Sequence, residues 1–229
     1  MTLETFPMDK EQYELIRRIA SVVGHELRNP LAVINNSAYF VKTKLGAAAQ
    51  TDPKVEKHLG IIASEIARAD RLIAEMLRFS RPLEVKLALT GLTAVVEGAL
   101  KDCAAPEGVK VKREKPKSEV TVQADAAALA DALRRILDNA VEAAGAAGTV
   151  TVSWGTRGDS AYVEVRDTGP GIQPEALAAV LQPFFTTKPR GLGLGLAVAE
   201  RIAAAHAGRI EAKNSPGGGA ALTMTLPKA

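Results

Sequence analysis

The sequence predicts two parts of different fold class: an antiparallel helical hairpin, followed by an α/β sandwich with a mixed sheet and helices on one face. Two observations lead to this prediction. Apolar residues in the first eighty positions recur at alternating spacings of four and three, which indicates long amphipathic helices. After Pro82, short segments of alternating polarity, typical of strands, interleave with helical segments. The 229 residues are enough for two small domains.

The composition excludes several classes of protein. Hydrophobic residues make up 47% and charged residues 24%, as in ordinary soluble proteins, and a formal charge of +3 does not indicate nucleic-acid binding. The single cysteine, Cys103, cannot form an internal disulfide, so we expect a cytoplasmic location. We expect no transmembrane segment, because there is no run of about 18 apolar residues. Residues 1–14 are polar and do not resemble a signal peptide, and three histidines with one cysteine predict no transition-metal site.

The first part, residues 12–80, carries two helical seams. A stricter seam from Val55 to Met76 follows the first one, and residues 46–53 between them are typical of a turn. Such a hairpin has too little core to be stable alone, so we expect two copies to pair into a four-helix bundle and the protein to be a homodimer. The seam positions of the first helix are Ile16, Ala20, Val23, Leu27, Pro30, Ile34, Ala38, Val41 and Leu45.

The stretch VVGHELRNPLAVI, residues 22–34, places polar groups on the first helix. The heptad register directs His25 towards solvent, with Glu26 beside it and Asn29 one turn later on the same face. Pro30 removes one backbone hydrogen bond and predicts a bend. An imidazole next to a carboxylate can be held in one tautomer and lose a proton as it attacks an electrophile. On this evidence alone, a surface histidine without a function remains the alternative.

The second part, residues 91–229, follows a linker at residues 81–90. Its alternating segments predict strands at 109–114, 120–124, 149–154, 161–167, 208–214 and 221–226. Helical patterns lie at 91–104, 125–144, 174–181 and 195–206. Asp125 is a suitable N-cap for the second of these helices.

Two motifs of this part place polar groups at the edges of predicted elements. In LRRILDNAVEAA, residues 133–144, Asn139 lies beside the apolar stripe of a helix, where an amide can serve a ligand or simply bond the backbone. In RDTGPGI, Gly169 and Gly171 form a tight turn that lets a ligand approach the backbone, and Asp167 is an acceptor at the strand end. Turn chemistry alone also explains these glycines.

A third motif, TTKPRGLGLGLAVAERIAAAH, places glycines directly before a helix. Gly191, Gly193 and Gly195 lead into the apolar-periodic segment, and Lys188 and Arg190 add positive charge just upstream. Free backbone N–H groups and the positive end of a helix make this an expected anion site. The motif is neither a P-loop, because no Gly-Lys-Ser/Thr follows, nor a dinucleotide fingerprint, because no strand precedes it.

Taken together, these motifs resemble those of the sensor histidine kinases of two-component signalling, over about residues 12–227. GHELRNPL is similar to the H-box of that family, NAVEAA to the core of its N-box and DTGPGI to its G1 box. PFFTTK is similar to its F-box region and GLGLGL to its G2 box. The resemblance implies a dimerisation and phosphotransfer domain at 12–80 and a catalytic ATP-binding domain of the GHKL type at 91–229.

The resemblance also implies roles for individual residues. His25 would accept the phosphoryl group, Glu26 would take its proton, and Asn29 would orient water for dephosphorylation of a partner. In the ATP-binding domain, Asn139 would hold Mg²⁺ against the ATP phosphates and Asp167 would bond the adenine amino group. Residues 173–190 would form a lid over ATP, anchored by Phe184 and Phe185. The remaining implied ligand-binding positions are Gly169, Gly171, Lys188, Gly191, Gly193 and Gly195.

The implied partners are a second copy of the chain, the receiver domain of a response regulator, and a sensory domain or protein outside this chain. The implied activity is ATP-dependent autophosphorylation on His25 followed by transfer to an aspartate. Arg135 and Leu192 depart from the family pattern, which leaves a kinase-dead docking scaffold as one alternative. A GHKL ATPase that phosphorylates serine or does mechanical work is another. We expect His58, His206 and the basic residues 110–117 to be ordinary surface positions.

Overall fold

The computed structural model describes residues 10–46, 53–188 and 191–229. These form two compact units, one that ends at Pro82 and one from Leu83 to Ala229. Most of the predicted turn at 46–53, the first nine residues and Arg190 lie outside the described residues. In the described ranges, no helix is both long and apolar enough to cross a membrane.

The first unit is a hairpin of two helices, α1 (Lys10–Leu45) and α2 (Pro53–Ser80). They are antiparallel, because Arg17 near the start of α1 bonds the backbone of Ser80 at the end of α2. The α-helix assignment continues through Pro30. The predicted hairpin is therefore confirmed, whereas the bend at Pro30 stays a prediction.

The two helices of the hairpin bury only part of the predicted seam. Buried apolar side chains include Ala20 on α1 and Ile66, Ile73 and Leu77 on α2. Five other predicted seam positions of α1 remain exposed by 36 to 49% of their surface: Val23, Leu27, Ile34, Val41 and Leu45. The hairpin thus carries an apolar stripe that its own second helix does not cover.

The second unit is an α/β sandwich with a mixed five-stranded sheet in the order β2-β4-β5-β7-β6. Strand β2 is parallel to β4, and the other neighbours are antiparallel. The elements in chain order are β1 (Ala88–Gly91), α3 (Leu92–Asp102), β2 (Lys110–Glu114), β3 (Thr121–Ala124), α4 (Ala126–Ala144), β4 (Thr149–Arg157), β5 (Ser160–Asp167), α5 (Gly195–Ala205), β6 (Arg209–Asn214) and β7 (Ala220–Pro227). Strands β1 and β3 pair in a separate antiparallel ribbon.

The helices pack on the sheet as the apolar patterns predict. Helix α4 contacts β4 and β5, α5 contacts β6 and β7, and α3 packs on α4. Trp154 of β4 is 2% exposed, and its indole N–H donates to Thr93 Oγ1 at 3.1 Å. The predicted apolar stripe of α4 is buried throughout: Leu133, Ile136, Leu137, Ala140 and Val141. The predicted fold class is confirmed.

One secondary-structure prediction is wrong. The segment 174–181 forms only a 3₁₀ turn at Pro174–Ala176 followed by further turns, because eight residues before Pro183 are too few for a stable helix. The predicted linker 81–90 contains most of β1. A four-residue strand has almost no alternation to detect, and its hydrogen bonds depend on β3, more than thirty residues later.

His206 was expected on the surface, and this prediction is wrong, because its side chain is only 4% exposed. The ring follows α5, where Nδ1 lies 2.7 Å from the carbonyl oxygen of Ile202 and Nε2 lies 3.0 Å from the backbone N of Asp125. A neutral imidazole with its proton on Nδ1 satisfies both bonds. His58 is exposed. In the basic segment, Arg113 and Lys115 are exposed and pair with Glu97.

Candidate functional site

The His25 turn of α1 presents His25, Glu26, Asn29 and Pro30, which are all exposed. This agrees with the heptad register, which directs the imidazole towards solvent. Between this turn and α2 lies Gly24, which is buried. A Cβ at Gly24 would stand 2.8 Å from Cγ and Cδ2 of Leu77, so the absence of a side chain allows the two helices to approach closely directly behind His25.

Arg17 braces the same pair of helices two turns before His25. Its Nε and Nη2 donate to the Ser80 carbonyl oxygen at 3.0 and 2.7 Å, and Nη1 bonds Glu14 at 2.7 Å. The guanidinium thus satisfies an unpaired carbonyl at the C-terminus of α2. This role of Arg17 was not predicted, since its partner Ser80 lies 63 residues away along the chain.

A polar groove of the hairpin lies on α1 and α2 beyond the His25 turn. Charged residues of both signs line it: Arg28, Asp70 and Arg71. Asn35, Asn36, Ala32 and Ala74 complete the lining. The groove begins three residues from His25 and is therefore available to a protein that approaches the imidazole.

In the second unit, Asp167 ends β5 and is 1% exposed. Its Oδ1 accepts hydrogen bonds from the backbone N–H groups of Gly169 at 2.8 Å and Ala220 at 3.3 Å. Gly219, which precedes β7, has a φ of +81°, and a Cβ there would overlap the Asp167 carbonyl oxygen. The carboxylate is therefore held in one orientation by backbone groups from two loops.

The loop after Asp167 depends on its glycines and on one asparagine. A Cβ at Gly169 would overlap the carbonyl oxygen of Ala143 in the last turn of α4. Gly171 has a φ of +79°, a conformation that favours glycine. The Asn214 side chain accepts from the Ile172 N–H and donates to the Ile172 carbonyl, both at 2.7 Å. Asn214 was not predicted as a site residue, because the only local sign of its role is an amide at the end of a strand.

Asn139 lies half-buried on α4 and contacts a residue of the glycine-rich segment. Its Oδ1 accepts a hydrogen bond from Lys188 Nζ at 3.0 Å, and the same Nζ lies 2.6 Å from Oε2 of Glu142. The structure therefore brings together two predicted site residues, Asn139 and Lys188, from 49 positions apart. It adds Glu142, which the sequence analysis had not selected.

Arg135 lies one turn before Asn139 and is 8% exposed. Its Nε donates to Asp131 Oδ2 at 3.1 Å, and Asp131 also pairs with Arg134 at 3.2 Å. The spacing from 131 through 135 and 139 to 142 places these polar residues along one face of α4. An ion pair therefore occupies the position of Arg135, where the sequence departs from the family pattern.

The segment between Phe184 and Gly193 closes into a loop. Phe184 has a φ of +64°, and its N–H donates to the Gly193 carbonyl oxygen at 3.0 Å. Gly193 has a φ of +68°, and a Cβ there would overlap the Phe185 carbonyl oxygen. Gly191 N–H bonds the Lys188 carbonyl at 3.2 Å. Gly193 is therefore required by the fold of the loop itself.

Gly195 differs from Gly193, because the fold does not require it. It is the first residue of α5, its φ is not positive, and a Cβ built there would have no described atom within 4 Å beyond its chain neighbours and the backbone of α5 itself. No side chain of the described residues caps this helix end. The first N–H groups of α5 therefore remain available to an anion, and the space beside Gly195 is left open.

The amide oxygen of Asn139 is a candidate ligand for magnesium. Among the described side chains, no group of three or more His, Cys, Asp or Glu residues is arranged to hold a metal. Mg²⁺ at phosphate sites commonly takes only one or two oxygen ligands from the protein, with phosphate and water oxygens as the rest. The amide oxygen of Asn139 fits this requirement.

Comparison with known proteins assigns both units to families. The His Kinase A (phospho-acceptor) domain model matches residues 15–84, and the model of the histidine kinase-, DNA gyrase B- and HSP90-like ATPases matches residues 124–229. The sensor histidine kinase ZraS of Klebsiella oxytoca is 33% identical over 222 residues, which cover 95% of this chain and 47% of that protein. The chain thus spans about half the length of this relative.

Solved structures show the same fold. Full-length ShkA in complex with AMPPNP gives a TM-score of 0.73 at 23% identity, covering 93% of this chain and 46% of that one. Histidine kinase ThkA in complex with the response regulator protein TrrA gives 0.67 at 23% identity, covering 99% and 68%.

Proposed function

Since this chain belongs to the sensor histidine kinases of two-component signalling, we propose that it is an ATP-dependent protein-histidine kinase that phosphorylates itself on His25. The phosphoryl group then passes to an aspartate of a response regulator. One observation carries this proposal: the same chain combines two features. A helical hairpin exposes the His25–Glu26 pair, and a unit with the fold of the ATPase family holds the Asp167 carboxylate in one orientation.

We assign adenine recognition to Asp167. Two backbone N–H groups fix its Oδ1, so the carboxylate can accept a hydrogen bond from the adenine amino group without reorienting. Gly169 and Gly171 keep the adjoining loop free of side chains. The phosphates are assigned to the open N-terminus of α5 at Gly195 and to the ammonium of Lys188.

Magnesium is assigned to Asn139 Oδ1. When bound there with ATP, the metal would supply positive charge that offsets the negative charge developing on the phosphates. The protein supplies the fixed amide oxygen on a rigid helix. The buried Arg135, one turn away, cannot ligate a metal and adds positive charge near that position.

At the His25 turn, a neutral ring nitrogen of His25 attacks the γ-phosphorus of ATP. The new N–P bond forms as the P–O bond to the β-phosphate breaks, and ADP leaves with that electron pair. Glu26 takes the proton of the other ring nitrogen, which removes the positive charge from the phosphorylated imidazole. Asn29, on the same face, is assigned to orienting water for dephosphorylation of the regulator, because an amide offers both a donor and an acceptor.

The proposed partners follow from exposed surfaces of the hairpin. The uncovered apolar stripe with Leu27 and Ile34 supports pairing with a second copy of this chain. The polar groove with Arg28 and Arg71 supports docking of a receiver domain beside His25. The sensory input is assigned to a domain or protein outside this chain.

The test is incubation with γ-labelled ATP and Mg²⁺, followed by acid or base treatment of the labelled protein. A histidine phosphoramidate is lost in acid and survives base, and His25→Gln should take no label while its nucleotide affinity stays close to wild type. Label that survives acid and is lost in base would identify a serine kinase. A chain that binds nucleotide and takes no label would be the docking scaffold.

A further inference from the structure

The ammonium group of Lys188, in the glycine-rich segment, binds two side chains of α4. It binds Asn139 Oδ1 at 3.0 Å and Glu142 Oε2 at 2.6 Å. Asn139 and Glu142 are three residues apart, so both face Lys188 from the same side of the helix. The oxygen that we assign to magnesium therefore binds a cation supplied by the chain itself.

This arrangement competes with metal-bound nucleotide. A magnesium ion stands about 2.1 Å from its oxygen ligands, so an ammonium 3.0 Å from the same oxygen would be strongly repelled. Lys188 must leave Asn139 when the metal binds. The backbone need not move, because the Lys188 N–H bonds Thr186 Oγ1 at 3.0 Å and its carbonyl accepts from Gly191 at 3.2 Å.

We propose that Glu142 holds Lys188 over Asn139 in the nucleotide-free protein and thereby lowers the affinity for metal-bound nucleotide. This inference rests on the proposed function. Both bonds of the ammonium are charge-assisted. Only the bond to Glu142 also joins opposite charges, so Glu142 holds the ammonium more strongly than the neutral amide of Asn139 does. Phosphate oxygens compete with Glu142 for the same ammonium. Glu142 is thus a positioning residue that acts through Lys188.

Two simpler explanations predict different behaviour. As an ordinary surface ion pair, Lys188 and Glu142 would not affect nucleotide affinity. If only charge matters, removal of any nearby carboxylate would favour the phosphates equally. Asp138 distinguishes this second case, because it also lies on α4 next to Asn139 but pairs with Arg134 at 2.9 Å instead of Lys188.

The experiment titrates the full chain with AMPPNP at saturating Mg²⁺ and measures the dissociation constant directly. The variants are Glu142→Gln, Lys188→Met, the double variant and Asp138→Asn as the matched control. The side chains of Lys188 and Glu142 are 36% and 63% exposed, so neither change should unfold the protein. For an exposed pair, we expect Glu142→Gln to tighten binding by about two- to fivefold.

The same substitution should have no effect in the Lys188→Met background, because the cycle isolates the interaction between the two side chains. The inference is overturned if Glu142→Gln leaves the affinity unchanged or weakens it. It is also overturned if the gain persists without Lys188, or if Asp138→Asn produces an equal gain. A wild-type chain that binds no AMPPNP would instead refute the proposed function.

Discussion

Gly195→Ala should separate the stability of the ATPase unit from its affinity for nucleotide. Gly195 begins α5 without a positive φ, and an added Cβ would have no described atom within 4 Å beyond its chain neighbours and the backbone of α5 itself. Alanine lowers the entropy of the unfolded chain and favours helix, so the free energy of unfolding should rise by up to about 1 kcal/mol. The added methyl group occupies the approach to the first N–H groups of the helix. Loss of one hydrogen bond to a charged phosphate, worth about 1.5–3 kcal/mol, would weaken nucleotide binding roughly 10- to 100-fold.

The matched control is Gly193→Ala, two residues earlier. Gly193 has a φ of +68°, and its Cβ would overlap the Phe185 carbonyl oxygen, so this variant should lose about 1–3 kcal/mol of stability. Urea unfolding followed by the fluorescence of Trp154, the single tryptophan of the chain, reports on this unit alone. If Gly195→Ala bound nucleotide as tightly as wild type, the open space at the start of α5 would have no role in phosphate binding.

Three further predictions concern both units. Glu26→Ala should slow autophosphorylation about 100-fold or more, while Asn29→Ala should spare that rate and impair dephosphorylation of the regulator; equal slowing of labelling in both variants would contradict these roles. Leu27→Asp should shift sedimentation towards a monomer, because it puts a charge into the uncovered stripe; an unchanged dimer would refute pairing through that stripe. Asp125 caps α4 and accepts from the Ala128 N–H at 3.0 Å, which lowers its pKa, so Asp125→Ala should cost about 0.5–2 kcal/mol near neutral pH. A lowered pKa means that this stability is present above the usual value of about 3.9 and is lost as the pH falls through the folded-state value, so the urea midpoints of wild type and variant should converge in strong acid.

The sequence predicted elements wherever the signal was local and long. Periodicity within a single segment predicts the two hairpin helices and α4 with its buried stripe. It also predicts all five strands of the main sheet. The cap at Asp125 was equally local, because its acceptor and donor are three residues apart. Lys188 and Asn139 were selected separately, from two different motifs, and only the fold establishes that their side chains pair.

The features that were missed depend on partners far away in the chain. Arg17 bonds a carbonyl 63 residues later, and Asn214 holds a loop 42 residues earlier. His206 has the local pattern of an exposed helix end, yet its ring is buried because it accepts from Asp125, 81 residues before it. The sequence pattern around Glu142 indicates only a solvated residue on the polar side of α4. In each case the type of residue was compatible with several environments, and tertiary packing selected one.

Helical geometry lets one turn of α1 serve association and chemistry without conflict. Each residue turns the helix by about 100°, so His25, two residues from both Val23 and Leu27, lies on the opposite side of α1. Pairing that buries those two side chains would leave the imidazole open to ATP and to a receiver domain. Gly24 adds a third requirement, since its missing side chain brings Leu77 of α2 close behind the same turn. The proposed association, the close packing and the proposed phosphoryl transfer therefore use three different faces of residues 23–27.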